Sequence, residues 1–125
     1  MTKIVINRCF GGFGLSDKAI RYYAKVKGIE LYASKEKRFW GAEFYLCPED
    51  EYQTLSKEDQ SKMYFTEYKI ERTDPALITV VETLGEEANG RCAELKVVEI
   101  PDGIEWTIEE YDGVEWVAEK HRTWR

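Results

Sequence analysis

The stretch Arg8-Cys9-Phe10-Gly11-Gly12-Phe13-Gly14-Leu15-Ser16 gathers more chemically suggestive residues than any other part of the chain. Three glycines within four positions let a backbone approach another group closely and take positive φ at little cost. A helix starting directly after such a bend points unpaired N–H groups at whatever the bend encloses, and an anion suits them. Arg8 adds a guanidinium able to grip phosphate through two nitrogens, and Phe10 and Phe13 add flat apolar faces. Together they describe a cradle for a phosphate-bearing ligand with a stackable ring, such as a nucleotide. The competing reading is a tight turn whose glycines only let a strand and a helix pack. The pattern is neither Gly-x-Gly-x-x-Gly nor a P-loop with its Lys-Ser/Thr, so it meets neither motif.

Two further groups carry comparable chemistry. The tail Lys120-His121-Arg122-Thr123-Trp124-Arg125 packs three cations, the only His and a Trp into six residues of an acidic protein. Arg122 and Trp124 there offer charge for a phosphate and an indole for a base; the plainer reading is a solvated terminus. Arg72, with Asp74, Thr79, Glu82 and Asn89 nearby, is either a second phosphate clamp or the structural partner of Asp74 or Glu82. Asn89 in turn is either a hydrogen-bonding contact to a base or ribose edge, or the first residue of an Asn89-Gly90 turn. Catalysis has weaker support. Cys9 and His121 are the one nucleophile–base pair on offer, yet a Cys ending a strand commonly serves as a small buried hydrophobe. The carboxylates are scattered, with no pair set apart as an acid–base dyad, so the sequence reads as a binder.

The elements that must position these groups are legible in places. Lys3 to Asn7 reads as a β-branched first strand. Ser16 is an N-cap, with Leu15 and Ile20 as a hydrophobic staple, for a helix ending near Lys27 at the C′ residue Gly28. Ile29–Ala33 and Trp40–Leu46 read as strands around a basic turn at 34–38, and Leu55–Met63 as a short helix capped by Ser56. Asp74 and Pro75 start a second main helix, with Leu77, Ile78, Val81 and Leu84 on one face and Thr79, Glu82 and Glu86 on the other. Gly85 closes it.

The last third reads as an antiparallel meander. Pro101-Asp102-Gly103 and Asp112-Gly113 supply the turns, placing Ile100 opposite Ile104, Val98 opposite Trp106, Tyr111 opposite Val114 and Ile108 opposite Val117. Both sheet faces then carry apolar residues, the second through Leu95, Val97, Tyr111, Val114, Trp116 and Ala118. A sheet with helices on one side needs only one such face, so the second has to meet another element, a ligand or a second subunit, and self-association is the favoured reading. The expected architecture is one α+β domain over residues 1–125, a mainly antiparallel sheet on two α-helices in two layers, with a C-terminal β-meander.

Composition bounds the partners. The chain has 125 residues, 43% of them hydrophobic, which is enough for a real core. A formal net charge of −6 argues against duplex nucleic acid or an anionic membrane, both of which reward excess Lys and Arg. Cys9, Cys47 and Cys92 are odd in number and widely spaced, with no Cys-x-x-Cys. That is the usage of a cytoplasmic protein with neither a disulfide framework nor a zinc site. No apolar run has the ~18 residues needed to cross a bilayer, and the first residues lack a signal peptide's apolar region.

Ile6-Asn7-Arg8-Cys9-Phe10-Gly11-Gly12-Phe13-Gly14-Leu15-Ser16, with Arg72-x-Asp74-Pro75, Glu99-Ile100-Pro101-Asp102-Gly103 and His121-Arg122-Thr123-Trp124, resembles a family of small phage and prophage proteins, the Thoeris anti-defence sponges. The resemblance extends over nearly the whole chain and is weakest at 34–70. Proteins of that family sequester the cyclic ADP-ribose-type signal made by bacterial TIR enzymes, and some also hold cyclic oligonucleotides. It therefore implies a homo-oligomer that binds an intact glycocyclic ADP-ribose-type nucleotide in the host bacterial cytosol and does not cleave it, with no metal or cofactor. The implied ligand contacts are Arg8, Phe10, Gly11, Gly12, Phe13, Gly14, Arg72, Asn89, Arg122 and Trp124, with Thr79 in addition. Two other classes stay open: a small phosphoesterase using Arg8, His121 and a carboxylate, and an interaction module docking through the face that carries Trp116.

Overall fold

The β-branched run at the start of the chain forms β1, Thr2–Asn7, whose last four residues are buried. The computed structural model describes residues 1–35 and 42–120. The part of the expected basic turn and second strand that falls at 36–41 lies outside the described residues.

Helix α1, Asp17–Lys27, begins where Ser16 accepts the Ala19 N–H and ends at Gly28 in the left-handed conformation, φ 73°. Leu15 and Ile20, the expected staple, are both buried. Helix α4, Pro75–Leu84, starts at the Asp74 cap with Pro75 in its first turn. Between them come β2 (Tyr32–Ala33), β3 (Phe44–Tyr45), α2 (Glu49–Tyr52), α3 (Lys57–Met63) and β4 (Tyr64–Phe65). Ser56 caps α3 as expected. The apolar stripe of α4 is rotated from the expected one: Ala76, Leu77, Val80 and Val81 are buried, while Ile78 and Leu84 only rim the core. Packing on α1 and on β1 from two sides explains the shift.

The chain is α+β, with its described strands antiparallel throughout. Strand β1 pairs with β5, Leu95–Ile100, from Thr2 opposite Ile100 to Asn7 opposite Leu95. Strands β6 (Trp106–Tyr111) and β7 (Val114–Glu119) form a hairpin with Tyr111 opposite Val114 and Ile108 opposite Val117, the register that Asp112-Gly113 demanded. The other expected register is not made. Ile100 faces Thr2 instead of Ile104, and Val98 faces Ile4 instead of Trp106, so β5 and β6 belong to separate sheets. The turn joining them is held differently: the Asp102 carboxylate accepts from the Met1 ammonium at 2.9 Å and the Thr2 hydroxyl at 2.8 Å. Those bonds fasten the turn to the start of β1, and β1 brings an apolar strand that buries both its faces. The meander is thereby reduced to a two-stranded hairpin.

The apolar faces are distributed accordingly. Leu95 and Val97 pack against the helical core beside Val5, Leu77 and Val80. They are not part of an outward patch, as the meander register had them. Ile4 and Ile6, on the opposite face of β1, are also buried, and β7 lies against this strand. On the hairpin, Tyr111 and Trp116 remain exposed.

Candidate functional site

Asn7 closes β1 and organises the loops around its end. Its side chain is fully buried and donates to the Cys9 and Gly113 carbonyls at 2.7 and 2.8 Å. Its Oδ1 accepts the N–H groups of Cys9 and Glu94 at 3.3 and 2.8 Å. One amide therefore ties the start of the glycine bend to the hairpin turn and to the lead-in of β5. A buried amide with every position filled sets geometry firmly.

Glu115, buried on β7, is the second anchor. Its Oε1 accepts the Asn7 N–H at 2.8 Å and Arg72 Nη1 at 2.6 Å, while Oε2 accepts Arg72 Nη2 at 2.9 Å. Arg72 Nη1 also donates to the Val5 carbonyl at 3.2 Å, and the Val5 N–H donates to the Arg72 carbonyl at 2.9 Å. Arg72 thus satisfies a β1 edge that no described strand pairs. Its guanidinium lies 3.7 Å from the centre of the Phe13 ring. Of the two readings of Arg72, the structure makes the structural bond, but with Glu115 and not with Asp74 or Glu82.

The glycine bend is packed between other backbones. Gly11 and Gly12 have φ of 110° and 99°. A Cβ on Gly113 would strike the N–H groups of both Gly11 and Gly12, and one on Gly90 would lie 2.6 Å from the Gly14 carbonyl carbon. Gly90 donates to Gly14 O at 2.9 Å, and Leu15 bridges to Asn89. Three loops therefore meet backbone to backbone, and glycine is the residue that permits it.

On its outer side the bend lines a groove of about 400 Å³. Gly11 to Leu15 line it. Tyr64 and the turn Thr66-Glu67-Tyr68 also line it, as does Gly90-Arg91-Cys92, which runs alongside the bend with Gly90 against Gly14 and Cys92 against Gly11. Tyr68 is 72% exposed, with its N–H on Thr66 Oγ1. Glu67 is half-buried. Burial pushes its carboxyl above the ordinary range and Asp17 adds to that, while the Leu15 N–H and its own N–H pull it back. A carboxylate of the chain itself therefore sits beside Leu15, at the end of the bend.

Of the residues expected at a site, Gly11, Gly12, Phe13 and Gly14 line this groove. Phe13 does so from the core, since it is only 5% exposed. Phe10 is exposed on the rim of the bend. Arg8 is exposed beside it, with Nη1 donating to the Glu115 carbonyl at 2.9 Å. Asn89 is spent on the turn: its Oδ1 accepts the Leu95 N–H at 2.8 Å. Thr79 is exposed on α4, bonded back to Pro75 O and away from the groove. Arg122 and Trp124, with His121, lie outside the described residues. Tyr64, Thr66, Glu67, Tyr68 and Arg91 carried no motif that marked them in the sequence. The signal available for them was Thr66 as a cap within the aromatic cluster Tyr64-Phe65-Thr66-Glu67-Tyr68.

Among the described residues no group of His, Cys, Asp and Glu is placed to hold a metal ion, and no helix is long and apolar enough to cross a membrane. No family model, no curated protein and no solved structure matches this chain.

Proposed function

We propose that this protein is a non-enzymatic binder that holds an intact cyclic nucleotide signal, of the cyclic ADP-ribose type, in the groove beside the glycine bend. The observation that carries the reading is the groove itself. Its volume of about 400 Å³ suits a small molecule. Its lining combines the glycine bend with Tyr64, Tyr68 and Arg91. The particular signal comes from the resemblance of the bend and its companion motifs to the Thoeris anti-defence sponges. The phage setting, the host cytosol and a homo-oligomer rest on that resemblance alone.

Sequestration requires tight binding: ~10 nM corresponds to about −11 kcal/mol. Stacking on Tyr68 and Tyr64 with several polar contacts is a source of that size, and a second copy closing the open side of the groove would add to it. Arg8 and Phe10 are exposed on the bend but are not among the residues that line the groove. The test is to incubate the purified protein with the cyclic nucleotide, desalt it, release the ligand by heating and weigh it by mass spectrometry. Intact ligand is expected. An empty protein overturns the proposal, and a cleaved product replaces it with a phosphoesterase.

A protein-docking reading has one observation in its favour, the exposed Tyr111 and Trp116 on the hairpin. It requires Trp116→Ala to abolish capture of a partner that Gly12→Ala leaves bound.

A further inference from the structure

Strand β5 is paired along one side only, with β1. In such an antiparallel pair, alternate residues turn their backbone groups toward the neighbour and the others turn theirs away. Three bonds fix which residues do which. The Arg8 N–H donates to Glu94 O at 2.8 Å, which puts the even-numbered residues of β5 on the β1 side. The Leu95 N–H donates away from β1, to Asn89 Oδ1 at 2.8 Å. Opposite, the Val5 N–H points away from β5, to Arg72 O at 2.9 Å. The N–H and C=O groups of Val97 and Glu99 therefore face outward, and no described residue bonds to them.

This open edge is short and bounded. Before it, the Leu95 N–H is spent on Asn89. After it comes Pro101, which has no N–H to offer. The outward donors left are those of Val97 and Glu99, placed symmetrically about Val98. A row of unpaired donors and acceptors is a template for another strand, and this row complements its own antiparallel copy. With Val98 on a two-fold axis, Val97 of one chain lies opposite Glu99 of the other, and each such pair exchanges both of its bonds. No outward donor on either edge is then left over.

The side chains agree with that register. Val98 meets Val98 on the axis, and exposed Lys96 lies across from half-buried Ile100, which its alkyl stem can cover. An axis at Val97 calls on the Leu95 N–H, already bonded, and sets the two Lys96 side chains diagonally across from each other. An axis at Glu99 brings Pro101 opposite Val97 and two carboxylates face to face.

We propose that β5 pairs with β5 of a second copy of this chain, antiparallel about Val98, joining two β1–β5 pairs into one continuous sheet. A second copy is the occupant because the free segment matches itself and its bounds, Asn89 and Pro101, exclude the neighbouring registers. The inference goes beyond the nucleotide reading and does not depend on it. It also uses backbone groups of β5, a different surface from the Tyr111 and Trp116 side chains of the hairpin, so an assembly that used both would lose each contact separately.

The experiment is sedimentation of the full chain beside Glu99→Pro and Glu99→Ala. Proline at this position removes one outward donor and leaves the ladder to β1 in place, since the Glu99 N–H does not point to β1. Alanine keeps the donor and removes only the side chain, which lies 3.9 Å from Lys3 Nζ. Glu99→Pro is expected to halve the mass of the assembly and Glu99→Ala to leave it unchanged, with melting temperatures showing that both fold. Should the proline variant fail to fold, hydrogen exchange on the unaltered chain decides. The Val97 and Glu99 amides should exchange about tenfold more slowly in concentrated than in dilute solution, while the Val98 amide, held by β1, changes little. A monomer at every concentration overturns the proposal, as does an assembly that Glu99→Pro leaves whole. Equal loss with Glu99→Ala overturns it in favour of a side-chain contact. Nucleotide retention is measured apart from these, so none of the outcomes decides the reading of the groove.

Discussion

Arg72 and Glu115 show how little residue type says about role. A guanidinium near a glycine bend is what a phosphate clamp needs, yet here two of its nitrogens hold the Glu115 carboxylate and its face covers Phe13. Removing one partner leaves the other largely buried without a counter-charge, which destabilises by about 3–5 kcal/mol. Urea unfolding of Arg72→Ala and Glu115→Ala should show losses of that order. The double variant should lose clearly less than the sum, because it leaves no orphaned charge. Additive losses would mean that the pair is not coupled.

Asp74 makes a prediction about pH. Burial alone would raise its carboxyl, but the Tyr23 hydroxyl at 2.8 Å, the Ala76 N–H at 2.8 Å and the Lys27 ammonium at 3.5 Å outweigh that and hold it below the ordinary carboxylate range. A folded-state value lowered in this way contributes stability above the unfolded value, ~3.9, and loses it as pH falls through the lower folded value. Thermal melts of wild type and Asp74→Asn should therefore differ at pH 7 and converge in acid, once pH falls through the lowered folded value. An equal gap at both pH values would place the effect in the cap alone.

At the scale of elements, the contacts between loops matter as much as the helices. Gly113 and Gly12 both have positive φ, 90° and 99°, but they differ in surroundings. A Cβ on Gly12 meets nothing within 4 Å, whereas one on Gly113 meets the bend's own N–H groups. Gly12→Ala should destabilise by about 1–2 kcal/mol from backbone strain. Gly113→Ala should cost more, because the hairpin turn must also move away from Gly11 and Gly12. Denaturation midpoints of the two variants rank them. Ser16 joins elements in a similar way: its Oγ accepts the Ala19 N–H at 3.1 Å and donates to Glu87 O at 2.6 Å. Ser16→Ala should lower stability by about 1–2 kcal/mol, at the upper end for a lost cap, because the turn after α4 is released as well.

For the whole molecule, the distribution of apolar faces changes the case for assembly. The meander register placed Leu95, Val97 and Trp116 on one outward patch, which a second subunit would cover. Two of those three pack inside the chain instead. Of the patch that the meander register implied, Tyr111 and Trp116 stay exposed and are where the proposed oligomer is sought. Sedimentation of wild type against Trp116→Ala reads this directly, with a smaller species expected for the variant.

The sequence by itself determined local features. Ser16, Asp74-Pro75, Gly28, Gly85 and Asp112-Gly113 act on their immediate neighbours, so their helix ends and hairpin register come from a few adjacent residues. The glycine bend was visible for the same reason. Only the tertiary structure decided who meets whom across the chain. Which strand pairs with β5 depends on β1, some ninety residues away in sequence. The partner of Arg72 is a carboxylate on β7, and part of the groove's lining comes from Tyr64 to Tyr68. Side chains that far apart leave no periodic trace, because their meeting is selected by the burial of the whole core and not by any spacing. The glycines at 11, 12 and 14 carry both lessons: their conformation was legible, but the surfaces they lie against were not.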